Sequence, residues 1–176
     1  RCSAAGKLAV MPDAVDVVII GAGPVGLACA LETTREGLTA RVIEKGALVN
    51  SIVGYPAHME FFSTPDLIEI GGHPFPVHGY KPTREEALEY YRGIMERESI
   101  DVRLYERVLA VRGSQGAFSA ETAAGEHRAR HVIVSTGFFD VPNALDVAGE
   151  DLPKVTHYYR EPYPYVRQKV AIVGAK

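Results

Sequence analysis

Apolar positions along the chain fall into short runs punctuated by glycine and proline. The first run, Val15-Asp16-Val17-Val18-Ile19-Ile20, is β-branched and nearly continuous. A parallel strand buried on both faces reads this way, so a strand is predicted over 16–20. Gly21-Ala22-Gly23-Pro24-Val25-Gly26 follows at once, opening a helix-compatible segment over 24–36 that Gly37 closes. Val25, Ala28, Cys29 and Glu32 recur at helical spacing along it, so Cys29 reads as a small apolar packing residue rather than a redox group. A second strand is predicted over 39–44.

Residues 46–82 break the pattern. Pro56, Pro65, Pro74, Pro76 and Pro82 interleave there with Tyr55, Phe61, Phe62, Phe75 and Tyr80. A connection this long is functional or holds short elements of its own. Its aromatics read either as one wall of a cleft or as a satellite core beneath the loop. Periodicity returns over 83–98, a helix with a Thr83/Glu86 capping box and an apolar face of Ala87, Leu88, Tyr91, Ile94 and Met95. A short third strand is expected over 101–105. The alternating segments 107–112, 117–122 and 126–130, parted by Ser114-Gln115-Gly116 and Ala123-Ala124-Gly125, predict a three-stranded antiparallel meander. Residues 131–135 return to a buried parallel strand that runs into Thr136-Gly137. An irregular stretch over 142–166 reads as a linker, and 169–173 as a further strand entering the glycine turn Gly174-Ala175-Lys176.

The expected fold class is therefore α/β: a Rossmann-like nucleotide-binding domain with a parallel sheet, a three-stranded antiparallel β-meander, and the start of a second Rossmann-like domain. The boundaries are an extension over 1–14, the first domain over 15–141, a linker over 142–167 and the opening of the second domain over 168–176. A strand with no helix behind it is an incomplete βαβ unit, so the sequence reads as the N-terminal part of a longer protein, with Met11 a natural start.

At 176 residues and 47% hydrophobic, the chain is globular in composition, with room for one sizeable core or one domain plus part of another. A net charge of −3 gives no reason to expect nucleic acid or an anionic membrane as partner, and leaves a homo-oligomer open. No apolar run approaches the roughly 20 residues of a spanning helix, and the first ten residues lack a signal core. A cytoplasmic location is the expectation. Cys2 and Cys29 are too few for a disulfide framework, and His58 and His73 have no neighbours at ligand spacing, so no metal site is expected.

The chemistry gathers at the first glycine run. Glycines let the backbone turn tightly and approach a pyrophosphate closely, while the amides and positive dipole end of the next helix face the phosphates. Glu44 ends the second strand 18 residues beyond Gly26, near the spacing expected of the acid that binds a ribose. A carboxylate there accepts ribose hydroxyls and repels a 2′-phosphate, which suits FAD or NAD rather than NADP. The plain alternative is a solvated strand-end glutamate paired with Lys45. Thr136-Gly137 ends a strand beside the same loop, where a nucleotide would pass. No catalytic triad or carboxylate pair stands out, and no general acid or base is assigned.

The order of elements resembles the two-dinucleotide-binding-domain flavoproteins, the thioredoxin-reductase-like group. Glu44-Lys45-Gly46, Tyr55-Pro56, Phe61-Phe62-Ser63, Glu69-Ile70-Gly71, Lys81-Pro82, Tyr90-Tyr91-Arg92, Thr136-Gly137-Phe138-Phe139-Asp140 and Gly149-Glu150-Asp151-Leu152-Pro153 narrow the resemblance. In that order they are similar to the bacillithiol-disulfide reductase family, over about Asp16 to Lys176. The resemblance implies FAD in the first domain and NADPH in the second. It implies that Gly21, Gly23, Pro24, Val25 and Gly26 face the FAD pyrophosphate, and that Glu44, with Lys45 beside it, meets the adenosine ribose. Val108 would contact adenine through its backbone, Thr136 and Gly137 would line the nucleotide, and Tyr55, Pro56, Phe61 and Phe62 would lie near the isoalloxazine.

The activity so implied is an FAD-dependent oxidoreductase carrying hydride from NADPH through flavin to a small-molecule acceptor such as a low-molecular-weight thiol disulfide. One position departs from the family. Its members typically carry a cysteine where this chain has Val25, and a valine can neither attack sulfur nor form a mixed disulfide. Cys29 lies one helical turn on, roughly 6 Å along the axis. Two alternatives stand beside the reductase: a flavin-dependent monooxygenase, and a flavin-binding redox sensor of low turnover.

Overall fold

The computed structural model describes residues 14–174. The expected extension, with Cys2 and Met11, lies outside the described residues except for Ala14, and so do Ala175 and Lys176 of the final glycine turn.

Strands β1 (Val15–Ile20), β2 (Ala40–Ile43) and β3 (Val102–Arg103) run parallel, with Val17 opposite Ala40 and Val42 opposite Val102. Between the first two runs helix α1 (Pro24–Arg35), which ends where Gly37 takes φ +75° and donates its N–H to the Thr34 carbonyl. Helix α3 (Arg84–Arg97) starts on the expected capping box: Glu86 N–H donates to Thr83 Oγ1 at 3.2 Å and Thr83 N–H returns to Glu86 Oε2 at 2.8 Å. A single helical turn, α2 (Asn50–Val53), lies inside the long connection.

Alternation along the strands decides what each face meets. Val17, Ile19 and Val42 face α1 and pack with Ala22 and Ala30. Val18 and Ile43 point the other way, onto Ala120 and Ala129 of the antiparallel strands. Burying each of these valine and isoleucine side chains is worth about 1.5–3 kcal/mol. Helix α1 thus covers one face of the parallel strands, and the antiparallel part of the same six-stranded sheet packs on the other.

The meander consists of β4 (Val108–Ser114), β5 (Ala117–Thr122) and the first half of β6 (Glu126–Val134). Here the structure departs from the sequence expectation, because the predicted break between 130 and 131 is absent. Residues 126–129 pair antiparallel with β5 and residues 129–134 pair parallel with β1, so Ala129 alone pairs on both sides. The change from alternating to nearly continuous apolar composition records a change of partner, not the end of a strand.

Two further expectations are corrected. The third strand is cut from 101–105 to Val102–Arg103, because Tyr105 takes φ +57° and turns the chain away. Residues 169–173 form no strand, and Val170, Ile172 and Val173 are 53–80% exposed. A strand exists only through the partners that satisfy its N–H and C=O groups, and these residues have none among those described.

The long connection holds its own core. Phe75 stacks on Tyr90 with ring centroids 4.0 Å apart, and both rings meet Tyr91 of α3 edge-on. The Tyr91 hydroxyl donates to the Ile68 carbonyl at 2.9 Å, and burial pushes its phenol far up. Among the described residues no helix is long and apolar enough to cross a membrane, and no group of three His, Cys, Asp or Glu is placed to hold a metal ion.

Candidate functional site

The turn between β1 and α1 is built around what cannot fit there. A Cβ on Gly26 would stand 1.9 Å from the Gly21 carbonyl oxygen, and one on Gly21, itself at φ +107°, would stand 2.5 Å from the Ser135 oxygen. Gly23 differs, since a Cβ there meets nothing within 4 Å. Its bare backbone faces open space where a ligand can come close. Pro24 occupies the first helical position and has no N–H to lose, and no acidic residue stands in the first turn. Leu27 N–H donates to the Gly23 carbonyl at 3.0 Å, which leaves the Val25 and Gly26 amides without intrahelical partners. Such a terminus attracts an anion.

Glu44 sits just past β2 and is 7% exposed. Its Oε2 accepts the Ala22 N–H at 2.9 Å and its Oε1 accepts the Gly46 N–H at 2.8 Å. The reading of a solvated glutamate paired with Lys45 is thereby overturned: the carboxylate is buried, and Lys45 Nζ instead meets Asp140 Oδ2 at 2.5 Å. Each carboxylate oxygen keeps lone-pair capacity beyond the one amide it accepts.

Residues 135–140 form the opposite wall. Ser135 binds the end of β1 twice, its N–H donating to the Ile20 carbonyl at 2.8 Å and its Oγ lying 3.1 Å from the Ile20 and Gly21 carbonyls. Phe139 meets Tyr55 edge-on at 5.1 Å and Tyr158 at 5.1 Å, and the Tyr158 hydroxyl donates to the Phe139 carbonyl at 2.8 Å. Gly54 makes room for that ring: a Cβ there would be 2.7 Å from Phe139 Cε1.

These walls enclose a cleft of about 410 Å³. Gly21, Gly23, Pro24, Val25, Glu44, Lys45, Tyr55, Val108, Thr136 and Gly137, all candidates from the sequence, line it. Gly26 lies beneath the loop rather than on the cleft surface. Pro56, Phe61 and Phe62 do not line the cleft. Phe61 packs behind Tyr55 at 6.0 Å, held by an N–H bond to the Pro82 carbonyl, and Phe62 is 89% exposed. Asn50, Ser51, Arg107, Ser135, Phe139 and Asp140 line the cleft without having been assigned to the site from the sequence. Ser135, Phe139 and Asp140 flank Thr136-Gly137 in sequence, and that adjacency was the available signal. Asn50, Ser51 and Arg107 carry none. A more open groove of about 480 Å³ runs between α3 and Pro74 and Pro76, and none of the loop or strand-end residues reaches it.

Val25 is 65% exposed at the cleft, whereas Cys29 packs against the core between α1 and the sheet. The turn that separates them carries the thiol out of the site.

Around the far end of the cleft, Glu106 Oε1 accepts from Thr122 Oγ1 at 2.6 Å and lies 2.7 Å from His127 Nε2. The bonds from His127 and Thr122 hold the Glu106 carboxyl below its ordinary range.

The family described as pyridine nucleotide-disulphide oxidoreductase matches residues 18–176. Bacilliredoxin reductase Bdr of Bacillus subtilis is 43% identical over 160 residues, covering 90% of this chain and 49% of that protein. The solved bacillithiol disulfide reductase Bdr (YpdA) from Staphylococcus aureus superposes with a TM-score of 0.84 at 41% identity, covering 87% of this chain and 47% of the other. A flavin-containing monooxygenase from Stenotrophomonas maltophilia gives a TM-score of 0.63 at 28% identity over 71% of this chain and 39% of its own. The chain spans about half the length of the curated relatives it matches. With its glycine turn, strand-end glutamate and Thr-Gly wall gathered on one cleft, the chain belongs to the pyridine nucleotide-disulphide oxidoreductase family.

Proposed function

We propose that residues 15–141 hold FAD as the flavin-binding part of a reductase that oxidises NADPH. The observation that carries this reading is the convergence on one cleft of the bare Gly23 backbone, the free amides of α1 and the buried Glu44 carboxylate. Gly23 with the Val25 and Gly26 amides would take the pyrophosphate, and Glu44 the adenosine ribose. Val108 would border the adenine, and Tyr55 with Phe139 would form the aromatic wall at the other end. When bound, FAD supplies the hydride chemistry between nicotinamide and acceptor. The chain's own part is to orient it, to shield one side with apolar rings, and to neutralise its phosphates with backbone dipoles.

The relatives named for bacillithiol disulfide and bacilliredoxin support a thiol disulfide as acceptor. Val25 removes the thiol from the first loop, and this favours a second reading in which an acceptor other than a disulfide is served, an oxygenated substrate among them. The test is anaerobic addition of NADPH to the full-length protein. Bleaching of a bound flavin spectrum is expected, and a spectrum that never bleaches sinks the proposal. Reoxidation by an added thiol disulfide, against NADPH consumption coupled to substrate oxygenation, separates the two readings.

A further inference from the structure

The cations on the cleft differ in one respect. Lys45 is tied to Asp140, whereas Arg107, exposed and also lining the cleft, has no carboxylate partner among the described residues. An exposed arginine with no partner is ordinary by itself. What surrounds this one is not.

Tyr105, two positions earlier, takes φ +57°, a conformation that is uncommon and costly for a large aromatic residue. It is held there by its N–H bond to the Gly46 carbonyl at 3.0 Å, and the next residue, Glu106, donates its N–H to the Glu44 carbonyl at 2.8 Å. The turn at 105–106 is thus tied to the strand end that carries the proposed ribose acid. The Glu106 side chain then reaches back to Thr122 on β5 and His127 on β6, at 2.6 and 2.7 Å. On the other side, Val108 begins β4 opposite Thr122. Arg107 therefore stands between two anchored neighbours, at the adenosine end of the cleft. Its guanidinium is planar and loses less freedom than a lysine ammonium when it lies against a ring.

Resting on the FAD reading above, we propose that Arg107 contacts the adenine ring of the bound dinucleotide through the face of its guanidinium, with Glu106 as the positioning residue that aims it. A contact of this kind recognises the base rather than the phosphate, so it adds affinity for the nucleotide without distinguishing one base from another.

The test uses the full-length protein stripped of flavin and titrated calorimetrically with FAD and with ADP. Arg107→Ala raises Kd for both by about tenfold. Arg107→Lys loses as much as the alanine, because an ammonium has no plane to stack, and the salt dependence of ADP binding stays that of the wild type. Glu106→Ala weakens ADP binding by a similar factor, while Glu106→Gln, which keeps an acceptor for Thr122 and His127, restores it. In the Glu106→Ala background, Arg107→Ala costs little more, the non-additivity expected of residues acting as a unit. Wild-type affinity in Arg107→Ala overturns the proposal, and so does rescue by lysine with a steepened salt dependence, which is the mark of a phosphate contact. Additive losses at positions 106 and 107 overturn the positioning role. A wild-type protein that binds neither FAD nor ADP overturns the FAD reading itself, a failure distinct from the others.

Discussion

The Glu44 carboxylate accepts the Ala22 N–H at 2.9 Å, joining the end of the second parallel strand to the glycine turn after the first. The Ala22 carbonyl in turn accepts the Val49 N–H at 3.1 Å, and Glu44 Oε1 holds Gly46. One buried acid therefore fixes the relative position of two loops that together would carry pyrophosphate and ribose. Its structural and ligand-binding duties share the same oxygens.

Glu44→Gln separates those duties poorly, and that is informative. The glutamine amide has one accepting oxygen and one NH2 group, so an N–H of Ala22 or Gly46 is left facing a donor. Leaving a buried donor unsatisfied costs about 1–3 kcal/mol. Thermal unfolding should show that loss even without flavin, and FAD retention should fall further than stability alone explains.

Two glycines three positions apart behave differently. Gly26→Ala places a Cβ 1.9 Å from a backbone oxygen, so the β1–α1 turn has to open, and soluble folded yield should collapse. Gly23→Ala meets empty space, so the fold should survive with an unchanged circular dichroism spectrum. The added methyl occupies the approach of the pyrophosphate, and FAD affinity should fall by at least about tenfold.

Glu106 sets an acid limit. Its carboxyl is held below the ordinary value of 4.5, first by the His127 bond and then by Thr122. A depressed carboxylate contributes stability above its unfolded value and loses it as pH falls through the folded one. Melting curves of the wild type and Glu106→Ala should differ at neutral pH and converge below about pH 4.5. A gap that stays constant down to strongly acid pH would count against this assignment.

Val25→Cys adds a thiol at a position that is 65% exposed on the cleft, at a helix N-terminus that favours the thiolate. Stability should change little. The new cysteine should react with iodoacetamide at neutral pH much faster than Cys29, which packs against the core. If the acceptor class is governed by this position, the full-length variant gains turnover with a low-molecular-weight thiol disulfide over the wild type.

Much of the architecture was legible in residue order. The β-branched run before Gly21, the capping box at Thr83 and Glu86, and the alternation over 107–130 are local signals, and local sterics and hydrogen bonding decide their outcome. Glu44 could be picked out because the βαβ unit ties its position in sequence to its position in space. The partnering of β6 could not, since a strand's composition reports how buried it is but not which neighbour buries it. The long connection was opaque for a similar reason: with no period to impose a face, Tyr55 enters the cleft, Phe61 stands behind it and Phe62 turns to solvent.

The sequence by itself thus determined the elements, the glycine turn and the acid that meets it, because each depends on contacts within a few residues or within one supersecondary unit. Only the tertiary structure decided that Glu44 is buried on two amides, that Lys45 belongs to Asp140, and that Phe139 completes an aromatic wall. It alone left Arg107 without a carboxylate partner among the described residues, beside a strained Tyr105. Apart from the local Glu44–Gly46 bond, those pairings join segments far apart in the chain, and they exist only once the antiparallel strands have folded across the face of the parallel ones.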